Sequence, residues 1–123
     1  MALVLLADDE PNNRLVLEMQ LRLARHEVVT ADNGLAAIAA VRRRRPDVVL
    51  LDGMMPEMNG FAACRALRAD PEYADLPVIL VTALDRDKGQ GEAEAAGFNR
   101  VLYKPFRTEE LLAVVSEACG PVG

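Results

Sequence analysis

Five times along the chain a short apolar run gives way to a longer helix-like stretch. The runs are LVLLA (3–7), VVTA (28–31), DVVLLD (47–52), PVILVT (77–82) and RVLYK (100–104). Helices are expected near 11–25, 34–45, 60–69, 86–96 and 107–118. Three of the runs are apolar without alternation, the pattern of strands covered on both faces. Strand–helix units in series imply a parallel sheet with helices on both sides, because each crossover must bring the chain back over the sheet. The punctuation agrees. Pro11 suits a first helical turn, Asn59 and Thr108 stand where N-caps belong, and Gly97 follows the fourth helix. Glu109 and Glu110 complement the dipole at the start of the last helix.

The 123 residues suffice for one domain. No apolar run approaches the roughly 20 residues that span a bilayer. The start, MALVLLADDE, lacks a basic leader and a small-residue cleavage site, so a secretory signal is not expected. Cys64 and Cys119 fall short of a disulfide framework or a metal set and read as reduced thiols in a cytoplasmic protein. A net charge of −5 disfavours binding of nucleic acid through the bulk surface. The run RRRR (42–45) resembles a nucleic-acid patch but fits the last turn of the second helix, where cations complement the dipole. His26 has no metal-ligating neighbours and reads as a loop residue.

In parallel sheets ligands bind beyond the carboxyl ends of the strands. Here those ends are unusual. The first strand runs into Asp8 and Asp9 beside Glu10, the third ends in Asp52, the fourth in Thr82 and Ala83, and the fifth in Lys104 and Pro105. Crowded carboxylates repel, and desolvating them is costly unless a cation neutralises them. Three converging carboxylates make a hard oxygen site of the kind that takes Mg²⁺. A carboxylate nucleophile, a lysine point charge and a hydroxyl donor complete a set suited to phosphoryl transfer.

The segments ADDEPNN (7–13), LLDGMMPEMNG (50–60), VTA (81–83) and KPF (104–106) resemble the receiver domain of bacterial two-component response regulators. The resemblance covers essentially the whole chain, taken as a receiver domain over 1–120 with a short tail at 121–123. It implies a flavodoxin-like, doubly wound α/β fold: five parallel strands in the order 2-1-3-4-5 with five helices. It implies that Asp52 is the phospho-acceptor and that Asp8, Asp9, Asp52 and the backbone carbonyl of Met54 hold Mg²⁺. Thr82 and Lys104 match the switch hydroxyl and the conserved-type lysine, and the Lys104–Pro105 bond is expected to be cis. The implied partners are a sensor histidine kinase or histidine phosphotransfer protein, and a downstream output domain or protein. The output surface would be formed by the fourth helix, fifth strand and fifth helix, compatible with a phosphorylation-dependent homodimer. No membrane and no direct nucleic-acid contact is implied for this domain. The first helix is apolar at Leu15, Val16, Leu17, Met19, Leu21 and Leu23, wider than one stripe. Core packing accounts for part of this, and in the family the same helix docks the phosphodonor, so some of these residues are candidates for that contact.

The sequence departs from the family pattern in places. The position three before the lysine, often aromatic, is Val101, while Tyr103 stands next to Lys104. The readout is therefore expected to run through backbone shifts in the loop after the fourth strand. Gly89 and Gly91 weaken the fourth helix by roughly 1 kcal/mol each, which reads as a frayed helix, a longer loop, or a segment that orders on phosphorylation or partner binding. Met54 and Leu84, flanking the path of an attacking water in the family, should slow hydrolysis. Competing readings are an interaction-only receiver and a Mg²⁺-dependent aspartyl phosphatase. The latter uses carboxylates two apart on the first strand, whereas Asp8 and Asp9 are adjacent. No phosphate loop of the G-x-x-x-x-G-K-[ST] or G-x-G-x-x-G type follows a strand.

Overall fold

The computed structural model describes residues 2–119. The expected tail at 121–123 lies outside them. The strands are β1 (Leu3–Ala7), β2 (Glu27–Ala31), β3 (Val48–Asp52), β4 (Val78–Thr82) and β5 (Arg100–Tyr103). The helices are α1 (Pro11–Leu23), α2 (Gly34–Arg43), α3 (Gly60–Ala69), α4 (Arg86–Ala96) and α5 (Thr108–Cys119), with a 3-10 turn at Pro71–Tyr73. The sheet is parallel throughout, in the order β2-β1-β3-β4-β5, as expected. The chain reverses direction across the sheet between β1 and β3, which opens a crevice at their carboxyl ends.

Strand alternation divides the core in two. Leu5, Val49, Leu51, Val78 and Leu80 face α2, α3 and α4, packing with Ala37, Val41, Ala63, Leu67, Ala93 and Ala96. Val4, Leu6, Val48, Leu50, Ile79 and Val81 face α1 and α5, packing with Leu17, Leu21, Leu111 and Val115. Both faces of β1, β3 and β4 are buried, which is why their sequences do not alternate. Each fully buried leucine contributes about 1.5–3 kcal/mol of transfer free energy.

Most of the expected punctuation holds. Pro11 opens α1, Asn59 caps α3 by accepting from the Ala62 N–H, and Gly97 closes α4 at φ 98°. The Thr108 cap does not hold. Thr108 is already helical, the Arg107 carbonyl accepts from Glu110 and Leu111, and the Thr108 hydroxyl accepts instead from Gln20 of α1. A tertiary partner on α1 has replaced the local role. The segment 86–96 forms a continuous helix rather than a loop. The arginine run does end α2, with Arg44 on Glu27 and Arg45 on Asp75 and the Glu72 carbonyl. In the same region Arg68 binds carbonyls of Tyr73, Leu76 and Gly97 and the Asn99 side chain, tying the α3–β4 and α4–β5 connections together.

Candidate active site

Parallel strands bring Asp8, Asp9, Asp52, Thr82 and Lys104 to one sheet edge. Asp52 is the last residue of β3 and Thr82 the last of β4, while Asp8 and Lys104 directly follow β1 and β5. Three of these groups are out of water: Asp8 is 1% exposed, Asp52 8% and Thr82 5%. Asp9 is exposed at the rim.

Each of Asp8, Asp9 and Asp52 places a carboxylate oxygen within 4.8 Å of the other two. Asp8 is fixed by its own loop, its N–H donating to the Ala31 carbonyl and its Oδ1 accepting from the Glu10 N–H at 2.8 Å. Its Oδ2 is buried and has no hydrogen-bond partner among the described residues. Burial, aided by the neighbouring Asp52 charge, holds the Asp8 carboxyl above the usual carboxylate range, although the Glu10 N–H and Lys104 pull the other way. Buried acceptors are normally paired, so an orphan oxygen among three carboxylates has the environment that a hard cation satisfies. The donor set fits Mg²⁺.

Asp52 is held from two sides. Its Oδ1 accepts from the Met54 N–H at 2.9 Å, and its Oδ2 forms an ion pair with Lys104 Nζ at 3.0 Å. Lys104 reaches it because β5 lies beside β4, where the Lys104 N–H donates to the Thr82 carbonyl. The Lys104–Pro105 bond is cis, as expected. The turn under Asp52 requires Gly60, where a Cβ would fall 2.3 Å from the Asp52 carbonyl oxygen. Thr82 Oγ1 accepts from the Leu84 N–H at 3.0 Å, so this hydroxyl also organises the β4–α4 loop. Met54 lies on the open side of the site with 78% of its surface exposed.

Two contacts escape a reading of the sequence. Arg14 of α1 donates through Nη1 to the Asp8 carbonyl at 2.8 Å. Its signal is a cation near the start of a helix, where the dipole disfavours one. Tyr103 is paired in register with Thr82 and lies against α4. Its ring sits over Gly89, its hydroxyl donates to the Arg86 carbonyl at 3.2 Å, and the Arg86 guanidinium lies 4.8 Å from the ring centre. The sheet does have an aromatic side chain beside the threonine, one residue from the lysine rather than three.

A doubly wound parallel sheet with an acidic cluster and a lysine at its carboxyl edge defines the receiver class of signalling domain. Residues 4–116 match the response regulator receiver domain family, and the chain belongs to that family. It is 38% identical over 116 residues to protein PilH of Pseudomonas aeruginosa, covering 94% of this chain and 96% of PilH. It is 40% identical over 114 residues to response regulator PleD of Caulobacter vibrioides, covering 93% of this chain but 25% of PleD. Among solved structures it resembles the receiver domain of the sensor histidine kinase PA1611 from Pseudomonas aeruginosa, which has a magnesium ion coordinated in its active-site cleft. That likeness has a TM-score of 0.90 and 31% identity, with 98% of each chain covered. The chemotaxis response regulator CheY4 of Vibrio cholerae matches with a TM-score of 0.90 and 34% identity, over 96% of this chain and 98% of that one. The family assigns the chain to two-component signalling.

Proposed function

We propose that the chain is a phosphorylation switch in which Asp52 accepts a phosphoryl group. The observation that carries this is the orphan Asp8 Oδ2, buried among three carboxylates, beside an Asp52 that already holds a lysine. Asp8, Asp9 and Asp52, with the Met54 backbone carbonyl, would hold Mg²⁺. Bound there, the ion supplies positive charge that offsets the phosphoryl oxygens.

The protein's own groups have distinct roles. The Met54 N–H and Lys104 fix the Asp52 carboxylate, so its attack on phosphorus needs little reorientation. Lys104 can then pair with a phosphoryl oxygen as a point charge. Thr82 Oγ1 can donate to another, and turning toward it would release the Leu84 N–H and loosen the β4–α4 loop. That loop leads into α4, whose outer face is polar, and the α4–β5–α5 surface would carry the signal to an output partner. The donor would be a phosphohistidine on a sensor kinase or phosphotransfer protein. It would be met by the exposed Leu15, Val16 and Met19 of α1 and by a cavity of about 350 Å³ whose lining includes Asp8, Val16, Lys104 and Phe106. The chemistry is confined to the chain's own carboxylate, so it is a phospho-acceptor rather than an enzyme acting on a separate substrate.

The test is incubation with acetyl phosphate and Mg²⁺, followed by intact mass, with Asp52→Asn in parallel. One hydroxylamine-labile adduct, lost with EDTA and absent from the variant, is expected. A folded, metal-bound protein that takes no phosphoryl group would favour the interaction-only reading.

A further inference from the structure

We propose that Arg14 is a positioning residue for the acidic pair: through the Asp8 carbonyl it sets the direction in which Asp8 and Asp9 present their carboxylates to Mg²⁺. This rests on the metal site proposed above.

The surroundings of Asp8 carry the inference. Its N–H is held by the Ala31 carbonyl, its Oδ1 by the Glu10 N–H and its carbonyl by Arg14 Nη1, which leaves Oδ2 as the one unpartnered oxygen. The Asp8 carbonyl belongs to the peptide that joins Asp8 to Asp9. That peptide is planar, so fixing its oxygen fixes the plane from which Asp9 departs. Arg14 therefore acts on both carboxylates without touching either. Groups that orient metal ligands from behind commonly change affinity tenfold or more when removed.

The placement of Arg14 supports a role of this kind. The Arg14 N–H donates to the carbonyl of Glu10, the N-cap of α1, so a cation stands in the turn where the helix dipole disfavours one. Glu18, one turn along α1, pairs with Arg22, Asp32 accepts from Asn33 Nδ2, and no salt bridge to Arg14 is formed among the described residues. Its hydrogen bond is to a backbone carbonyl, and Arg14 lines a cavity of about 250 Å³ together with Thr30, Ala31, Asp32 and Ala36.

Charge and orientation predict opposite outcomes, which makes the test decisive. Removing a cation near three carboxylates should by charge alone tighten Mg²⁺. Losing the carbonyl contact should loosen it. The experiment titrates Mg²⁺ into the wild type, Arg14→Met and Arg14→Lys, following backbone amide shifts by NMR, with unfolding midpoints in EDTA as the stability control. Methionine keeps an unbranched apolar stem and removes both charge and donors. The expected result is Arg14→Met binding about tenfold more weakly, with Arg14→Lys between it and the wild type; before Mg²⁺ is added, the variants' amide shifts should differ from the wild type at 8–10 and around residue 14. Arg14→Met binding as tightly as the wild type, or more tightly, overturns the proposal. Arg14→Lys binding as weakly as Arg14→Met overturns it as well. A wild type that binds no Mg²⁺ would instead fail the metal site of the proposed function.

Discussion

Replacing Gly89 and Gly91 by alanine, one at a time, separates two residues of α4 with opposite roles. In an exposed helix interior alanine is favoured over glycine by about 1 kcal/mol. At Gly91 a Cβ would meet nothing within 4 Å. Gly91→Ala should therefore stabilise the fold by about 1 kcal/mol. At Gly89 a Cβ would stand 2.9 Å from Tyr103 Cε1 and 3.4 Å from the Tyr103 hydroxyl. The ring has to move, and it is held in place. Its hydroxyl donates to the Arg86 carbonyl at 3.2 Å, and the Arg86 guanidinium lies 4.8 Å from its centre. Losing the hydrogen bond costs about 0.5–1.5 kcal/mol and losing the cation–π contact about 0.5–1 kcal/mol. Set against the helix gain of about 1 kcal/mol, Gly89→Ala should range from neutral to about 1.5 kcal/mol destabilising.

The two variants should thus differ by about 1–2.5 kcal/mol in denaturant unfolding followed by far-UV circular dichroism, with the m-value unchanged. The control is a Tyr103→Leu background. With the ring gone, Gly89→Ala should recover the gain seen for Gly91→Ala, since contacting residues couple and separate ones add. If Gly89→Ala stabilises the Tyr103 protein as much as Gly91→Ala does, the ring is not wedged on the helix and the reasoning fails.

Asp8→Asn keeps the acceptor for the Glu10 N–H and removes a buried charge. Because burial raises the Asp8 carboxyl, the folded state holds its proton more tightly than the unfolded one. Stability from this group is full in acid and lost as pH rises through the raised value. At neutral pH and without divalent cations the variant should be more stable than the wild type, and added Mg²⁺ should no longer raise its melting point; an unchanged Mg²⁺ response would remove Asp8 from the metal set. Met54→Asn should speed loss of the phosphoryl group several-fold in intact-mass time courses, since it puts a polar group at the mouth of the site; an unaltered lifetime would show that this side chain does not shield Asp52. His26 behaves in the opposite sense to Asp8. Burial lowers it, and its Nδ1 accepts from the Ala2 N–H at 3.1 Å, which a protonated ring cannot do. Its contribution to stability is full above the ordinary value of about 6.5 and lost as pH falls through the lowered value. The melting point should therefore drop more steeply between about pH 7 and about pH 5 in the wild type than in His26→Gln; equal slopes would show that this ring does not couple to folding.

The acidic edge was legible because its residues violate the pattern that surrounds them. A strand buried on both faces has no reason to end in carboxylates, so Asp8, Asp9 and Asp52 stand out, and parallel topology alone brings them to one edge with Thr82 and Lys104. What was not legible depends on contacts between distant segments. Thr108 has the right type for a cap, but the Gln20 amide from α1 holds its hydroxyl, and no local rule includes that donor. Arg14 reads as a surface cation until the Asp8 carbonyl is seen in front of it. Gly89 and Gly91 look identical as helix breakers, and both lie in a helix that forms. Only one accommodates another side chain, and the difference is set by Tyr103 on the neighbouring strand. A glycine carries no side chain whose type could announce its role, so its purpose is recorded in the residue that fills its space. Here that residue is paired in register with the threonine of the acidic edge, so the helix glycine and the aromatic ring displaced toward the lysine are one feature of the fold.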